Sequence, residues 1–453
     1  MKSYKDFVSR TLKLKFYAFN TYSENSLELE IFLKFYNKFF YLSTMGKKLK
    51  SISKIIFAFG FLKNISLKYY GTFHFNELFA IFYFLAPRNI KKLPELFYKL
   101  KTPLVFLAII CISQVFSDIL NHSPLKNSIS GPGQIILAGI IIIFLFESFQ
   151  KSPLNILSVY LGYGISLLCF VWFNPRLGIL ENGISRLLIA PTLTITLLWI
   201  SFSKQKFIQK YIWLGSILVG LIVLLILDSR SRGLIFCATG IIYAIISLFK
   251  TPNKLKILNI LGLGFISILF IGFVFIFSSE QIFTNNRTHK QIEKIQNAYN
   301  PLEIIKITRP PVYVCVLAIA EKPWIGYGSW PMDKTGEYYD LAVDINKWSP
   351  DKTEKLKSRK SKIIPSHSIL FGTWLHAGII ALLSIFLLFV STLYCLLQKI
   401  VLFSRSNKDF LYISIYFLLQ ACWGFIFEPV QHLRFSMAII IAFAWLPKAS
   451  LVK

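Results

Sequence analysis

From about residue 53 onward the chain alternates long, unbroken apolar runs with short polar connections, a pattern unlike the narrow apolar stripe of a soluble helix. A helix crossing a hydrocarbon core takes about 20 residues, and the runs place about twelve such spans. They fall at roughly 53–63 (weak), 74–86 (short), 103–120, 133–149, 153–174, 185–203, 210–227, 233–249, 257–277, 368–397, 409–427 and 434–447. The first two can also form one broken helix. Between 278 and 367 the pattern gives way to a mostly polar stretch, read as one long loop carrying short helices. Residues 1–52 interleave lysine with aromatics, as in Phe32-Leu33-Lys34-Phe35-Tyr36, which suits a helix lying on an anionic leaflet as well as it suits a basic tail. The expected fold is therefore an all-α polytopic membrane protein. Its parts are a basic segment over 1–52, nine spans over 53–277, the loop over 278–367, and three spans with a short tail over 368–453.

Composition supports that class: 55% of residues are hydrophobic, 43 are Phe, and the mean hydropathy is +0.57. A net charge of +28 raises nucleic acid as a partner, but the basic residues cluster in the connections instead of along one soluble face. They read as topology signals. Arg88, Lys91, Lys92, Lys99 and Lys101, then Lys151, then Lys204, Lys206 and Lys210, then Lys250, Lys254 and Lys256, then Lys399, Arg405 and Lys408 mark alternate, cytoplasmic loops. With an even number of spans both termini lie inside. Arg176, the Arg230/Arg232 turn, the long loop and the turn from Glu428 to Arg434 then face outward. The first apolar run follows about fifty Lys- and aromatic-rich residues, so no cleavable signal peptide is expected. The six cysteines stand singly, almost all inside apolar runs, and suggest packing.

Three stretches on the outward side carry chemistry. Ser229-Arg230-Ser231-Arg232-Gly233 puts two guanidiniums at a span junction where topology disfavours positive charge. A lipid diphosphate matches such forked donors; snorkelling to phospholipid headgroups is the bland alternative. Arg309 precedes Pro310-Pro311 and an apolar run too short to span, which predicts a short helix ending at Glu321-Lys322-Pro323, with Gly326 and Gly328 allowing a tight loop. His367 stands where the long loop re-enters the bilayer. A neutral imidazole there can accept a proton from a sugar hydroxyl, and it can equally be a helix cap.

The order of these motifs is similar to that of the O-antigen ligase and polymerase superfamily, over about residues 220–395: Ser-Arg-Ser-Arg-Gly at a span junction, Arg309 with Tyr313 four residues on, Lys322-Pro323-Trp324-Ile325-Gly326-Tyr327-Gly328, and His367-Ser368 with Gly378 downstream. The resemblance implies a metal-independent, inverting glycosyltransferase without cofactor that moves a glycan from undecaprenyl diphosphate to a glycolipid acceptor, such as a lipopolysaccharide core. Arg230 or Arg232 and Arg309 would bind the diphosphate, and His367 would activate or orient the acceptor hydroxyl. Ser368 stands where the ligases more often have Asn, and Tyr313 where Trp is commoner, so ligase and polymerase both stay open.

Glu428, His432 and Arg434 in the last outward turn are further candidates for the acceptor side, with ordinary interfacial polar roles as the alternative. The basic segment from Lys347 to Lys362 could hold an anionic acceptor or be a solvated loop. No set of ligands has metal spacing, and neither a P-loop nor a dinucleotide fingerprint is present. A transporter is the rival from another class. It would need ionisable groups at mid-membrane, for which Glu77, Asp118 and Glu147 are the candidates.

Overall fold

A computed structural model describes residues 51–68, 72–173, 206–225, 230–248, 301–346, 350–359, 362–405 and 410–447. By backbone contacts, Ser53–Lys453 forms one unit separate from Met1–Ile52. The spans expected at 185–203 and 257–277, and residues 1–50, lie outside the described residues.

The remaining runs are helical. α1 (Ser51–Phe61) leads through a 3-10 turn (Leu62–Asn64) and a small hairpin, β1 (Ser66–Lys68) and β2 (Thr72–His74), into α2 (Phe75–Leu85). The strands pair antiparallel, Ser66 with His74 and Lys68 with Thr72, and are the strands among the described residues. They modify the all-α expectation only in the turn between the first two apolar segments. Then come α3 (Pro87–Ile90), α4 (Leu93–Lys99), α5 (Lys101–Leu120), α6 (Leu125–Lys151), α7 (Asn155–Phe173), α8 (Lys206–Leu225) and α9 (Arg230–Leu248). Four short helices follow: α10 (Pro301–Thr308), α11 (Pro310–Glu321), α12 (Glu337–Asn346) and α13 (Pro350–Lys357). The chain closes with α14 (Ile369–Arg405), α15 (Leu411–Phe427), a 3-10 turn (Val430–Arg434) and α16 (Ser436–Ala444).

Among the described residues, Lys101–Leu120, Leu125–Lys151 and Ile369–Ser404 are long and apolar enough to cross a membrane, and six shorter helices are apolar. The protein is membrane-embedded on this composition. Its core is built from α6, α15 and α16, where Ile141, Phe144, Phe146, Phe417, Phe425, Ile440 and Phe443 are fully buried. α5 and α14 instead leave apolar side chains outward, among them Ile112, Phe116, Ile119, Ile380, Leu383 and Phe386. Such surface suits lipid, not water. Where α1 meets α7, a Cβ on Gly60 would strike the Val159 carbonyl and one on Gly162 the Phe57 carbonyl. The two backbones touch because neither residue has a side chain there.

One irregularity organises the functional end. α14 breaks at Gly378 (φ 75°, ψ −171°), and the segment Pro323–Gly328 fills the break. Tyr327 N donates to Leu375 O (2.7 Å), Gly328 N to His376 O (3.0 Å), and Ile379 N to Trp324 O (3.2 Å). These are the groups whose helical partners the break removes. Trp374 Nε1 adds a bond to Pro323 O (2.7 Å). On its other side the loop is gripped by the end of α5. Asp118 accepts from Ser329 N (2.5 Å) and Ser329 Oγ (2.6 Å), Ser117 Oγ from Gly328 N (3.0 Å), and Asn121 Nδ2 donates to Gly326 O (3.1 Å).

At Gly378 a side chain would collide with the Trp324 carbonyl and force a left-handed backbone on an L residue. Gly378→Ala should therefore lower stability by about 2 kcal/mol or more, from strain plus the displaced loop. Thermal unfolding of the protein in detergent checks this; an unchanged midpoint would mean the loop is not wedged in the break.

Candidate active site

The site forms where the starts of α11 and α14 meet the end of α15. Arg309 is the N-cap residue of α11, with Pro310 and Pro311 opening the helix behind it. That helix ends at Glu321, as its apolar length predicts. The Arg309 guanidinium lies over the rings of Trp423 (5.0 Å to centroid) and Phe427 (5.2 Å) on the last turn of α15. Two aromatic faces hold the cation while its donors stay free of a carboxylate in that stack. The paired rings went unnoticed in the sequence, although Trp423 and Phe427 are four residues apart on one helical face, just before the polar turn they support.

His367 precedes α14. Ser368 next to it is buried, with its Oγ on Phe425 O (3.4 Å) and on Phe371 N (3.1 Å), so the re-entry loop is anchored to the end of α15. His367 keeps an exposed face. The protein packed around the rest of the ring removes water, and with the Arg309 charge and then His432 nearby it holds the imidazole below its ordinary range. His367 is therefore neutral at pH 7, with a lone pair available.

His432 stands beside it on the Val430–Arg434 turn. Its Nδ1 is 3.0 Å from Glu428 Oε2, and Gln420 Nε2 donates to Glu428 Oε1 (3.0 Å). The carboxylate is thus oriented from both sides. Arg232 extends the same neighbourhood through Tyr163, which lies within electrostatic reach of Arg232 and of Glu428. Arg232 is exposed, and Arg230 opens α9.

Arg309, His367, Glu428 and His432 are therefore brought together, and Arg232 is linked to them through Tyr163. Arg434 is turned away: it is 4% exposed, and its Nη1 pairs with Glu77 Oε1 (3.0 Å). In the basic loop, Lys357 pairs with Asp344 (2.6 Å) and Lys362 with Asp340 (2.6 Å), so two of its cations are tied to α12. Asp333 caps that helix, accepting from Gly336 N (2.9 Å) and Tyr339 N (2.7 Å). Among the described residues no group of His, Cys, Asp and Glu is arranged to hold a metal.

Residues 214–386 match the family model described as O-antigen ligase. The matched stretch contains Arg230, Arg232, Arg309 and His367, and it ends before Glu428 and His432. Compared with curated proteins, the chain matches none. The resemblance to the O-antigen ligase superfamily is thus found independently over nearly the stretch in which the motifs occur. It supports a membrane glycosyltransferase of the ligase or polymerase type.

The electrostatics make one measurable demand. Replacing Arg309 by Met removes a cation that disfavours protonation of His367, so the His367 titration should move to higher pH; hydrogen–deuterium exchange at the imidazole C2, followed by mass spectrometry across pH, reads it. A titration unmoved by the substitution would separate the two side chains.

Proposed function

We propose that the protein transfers a glycan from undecaprenyl diphosphate to a hydroxyl of a glycolipid acceptor, at the periplasmic face of the bacterial inner membrane. The meeting of a guanidinium and a neutral histidine, both from the family-matched stretch, on an aromatic platform outside it carries the reading. In this reaction the acceptor oxygen attacks the anomeric carbon and its bond to the diphosphate breaks, with inversion. Negative charge grows on the departing diphosphate, where Arg309, with Arg230 or Arg232, offers fixed donors. The proton leaving the acceptor hydroxyl goes to His367, which its packing and then the Arg309 charge keep unprotonated. Glu428 and His432 line the acceptor side. Membrane lipids surround the polyprenyl chain, and the already activated donor needs no nucleotide.

A polymerase that adds the growing chain to a new lipid-linked repeat uses the same donor and the same groups. The acceptor alone separates it from a ligase.

Release of undecaprenyl diphosphate from a lipid-linked glycan by purified protein tests the reading, with and without a glycolipid acceptor. His367→Ala should lower acceptor-dependent release about 10²- to 10⁴-fold, and Arg309→Ala about 10²- to 10³-fold. Release without acceptor, together with longer lipid-linked chains, would identify a polymerase. No release by the wild type under either condition would remove the transferase reading.

The lowered His367 pKa also sets the pH dependence. The base form is lost only as pH falls through that depressed value, so the acid limb of kcat/KM should lie below the ordinary histidine range of about 6.5. A pH–rate profile of the wild type measures it. A limb above that range would assign the base to another group.

A further inference from the structure

The far end of α11 carries a polar and aromatic cluster that the proposed reaction does not use. Glu321, the last residue of the helix, is exposed, and its carboxylate accepts from two tyrosines: Tyr327 OH donates to Oε2 (2.9 Å) and Tyr338 OH to Oε1. Lys322, next in the chain and also exposed, has its Nζ 4.9 Å from the Tyr327 ring centroid and donates to Asn121 Oδ1 (3.3 Å). Asn121 is itself fixed, its Nδ2 donating to Ser117 O (2.8 Å) and Gly326 O (3.1 Å). Asn121, Lys322, Tyr327, Glu321 and Tyr338 thus form one unbroken chain of contacts.

Two observations set this cluster apart from ordinary surface polar residues. A carboxylate at the C-terminal end of a helix faces the negative end of the helix dipole, so Glu321 stands where helix stability does not ask for it. The hydrogen bonds from Tyr338 and Tyr327 hold its carboxyl below the usual carboxylate range and keep it a fixed anion at neutral pH. The second observation is rigidity. Both tyrosines pack against the core of Cys315, Ala318, Ile319, Ile364 and Leu375, and Tyr327 N is bound to Leu375 O in the α14 break. Their hydroxyls are therefore set before any ligand arrives.

The charges of Glu321 and Lys322 cancel, which favours neither an anion nor a cation. What remains is a carboxylate with spare lone pairs, two phenol oxygens and an ammonium with spare protons. Sugar hydroxyls donate and accept at close spacing, so a neutral glycan matches this surface. α11 also sets the distance: its twelve residues place Glu321 about 18 Å from the Arg309 end, the span of a short oligosaccharide and not of a single sugar.

We propose that Glu321, Lys322, Tyr327 and Tyr338 form a subsite for the glycan of the lipid-linked donor, taking neutral sugars several units away from the diphosphate. This rests on the transferase reading, in which Arg309 holds the diphosphate at the other end of α11 and the glycan runs along the helix. Asn121 acts by orienting Lys322.

The test uses the full-length protein in phosphatidylcholine nanodiscs, which keep sugar-headed detergents away from the subsite. The probe is the lipid-free glycan released by mild acid from the surface glycolipid of the cells that make the protein, titrated by calorimetry. Wild type should bind it, and Glu321→Gln and Lys322→Met, both at exposed positions, should each weaken binding about 10-fold. Turnover supplies a second arm. With a donor carrying the full glycan, Glu321→Gln should lower kcat/KM about 10-fold; with undecaprenyl diphosphate carrying one sugar, it should leave kcat/KM within about twofold of wild type. A merely structural role lowers both alike. The proposal is overturned if wild type does not bind the glycan, if either variant binds it as wild type does, or if the two donors lose rate equally. Wild type that binds the glycan but releases no undecaprenyl diphosphate from either donor overturns the transferase reading instead, and leaves glycan binding at the subsite standing.

Discussion

The functional end of the molecule depends on backbone groups in α14 that a continuous helix would satisfy and a broken one does not. In hydrocarbon an unpaired peptide group costs several kcal/mol, so a break at membrane depth must be filled by protein. Pro323–Gly328 does this, giving Tyr327 N and Gly328 N to the carbonyls of Leu375 and His376 and the Trp324 carbonyl to Ile379 N. The same segment is clamped by Asp118, Ser117 and Asn121. Two helix starts are fixed as a result. α11 runs directly into the wedged segment and so places Arg309, and the short piece of α14 before the break carries His367 at its head.

Aromatic and apolar packing then sets the electrostatics of what has been placed. Trp423 and Phe427 hold the Arg309 cation without consuming its charge, which leaves that charge to act on His367. A carboxylate partner would have neutralised Arg309 and raised the basicity of the histidine. The arrangement instead keeps an anion-seeking cation and an unprotonated imidazole side by side. Glu428, held by Gln420, is reserved for His432.

Helix positions were largely legible, because an apolar run bounded by Pro, Gly and charge is a local property. α11, for example, begins at its two prolines and ends before Lys322-Pro323, as its pattern says. Arg309, His367, Glu428 and His432 could be named from their residue types and their shared side of the membrane, but their meeting is a tertiary fact. The departures arise where long-range contacts override local pattern. α14 runs to Arg405, beyond the expected end near residue 397, because Lys399 is buried and donates to the Leu446 carbonyl (2.7 Å) instead of marking a solvated loop. Arg434 looks like its neighbours in sequence, and only the α2 carboxylate at Glu77 draws it inward. The polar run Ser117-Asp118, Asn121-His122-Ser123 at the end of a span was the available clue to the clamp, yet nothing local says what it grips.

The same partners bear on the transporter alternative. A carrier of ions or solutes needs buried ionisable groups that can exchange partners during its cycle. Each of the three acidic residues that could serve is committed to structure: Glu77 to Arg434, Asp118 to Ser329, and Glu147 to Lys92 (3.0 Å) and Lys151 (2.6 Å). Releasing Asp118 would free the loop that fills the α14 break, and releasing Glu147 would leave a carboxylate without its two lysines at a buried position. Truncating one member of a buried ion pair such as Glu77–Arg434 typically costs about 3–5 kcal/mol, so that contact resists cycling. Arg309 and Arg232 lie instead near His367 and Tyr163, as the proposed transfer from an anionic lipid requires.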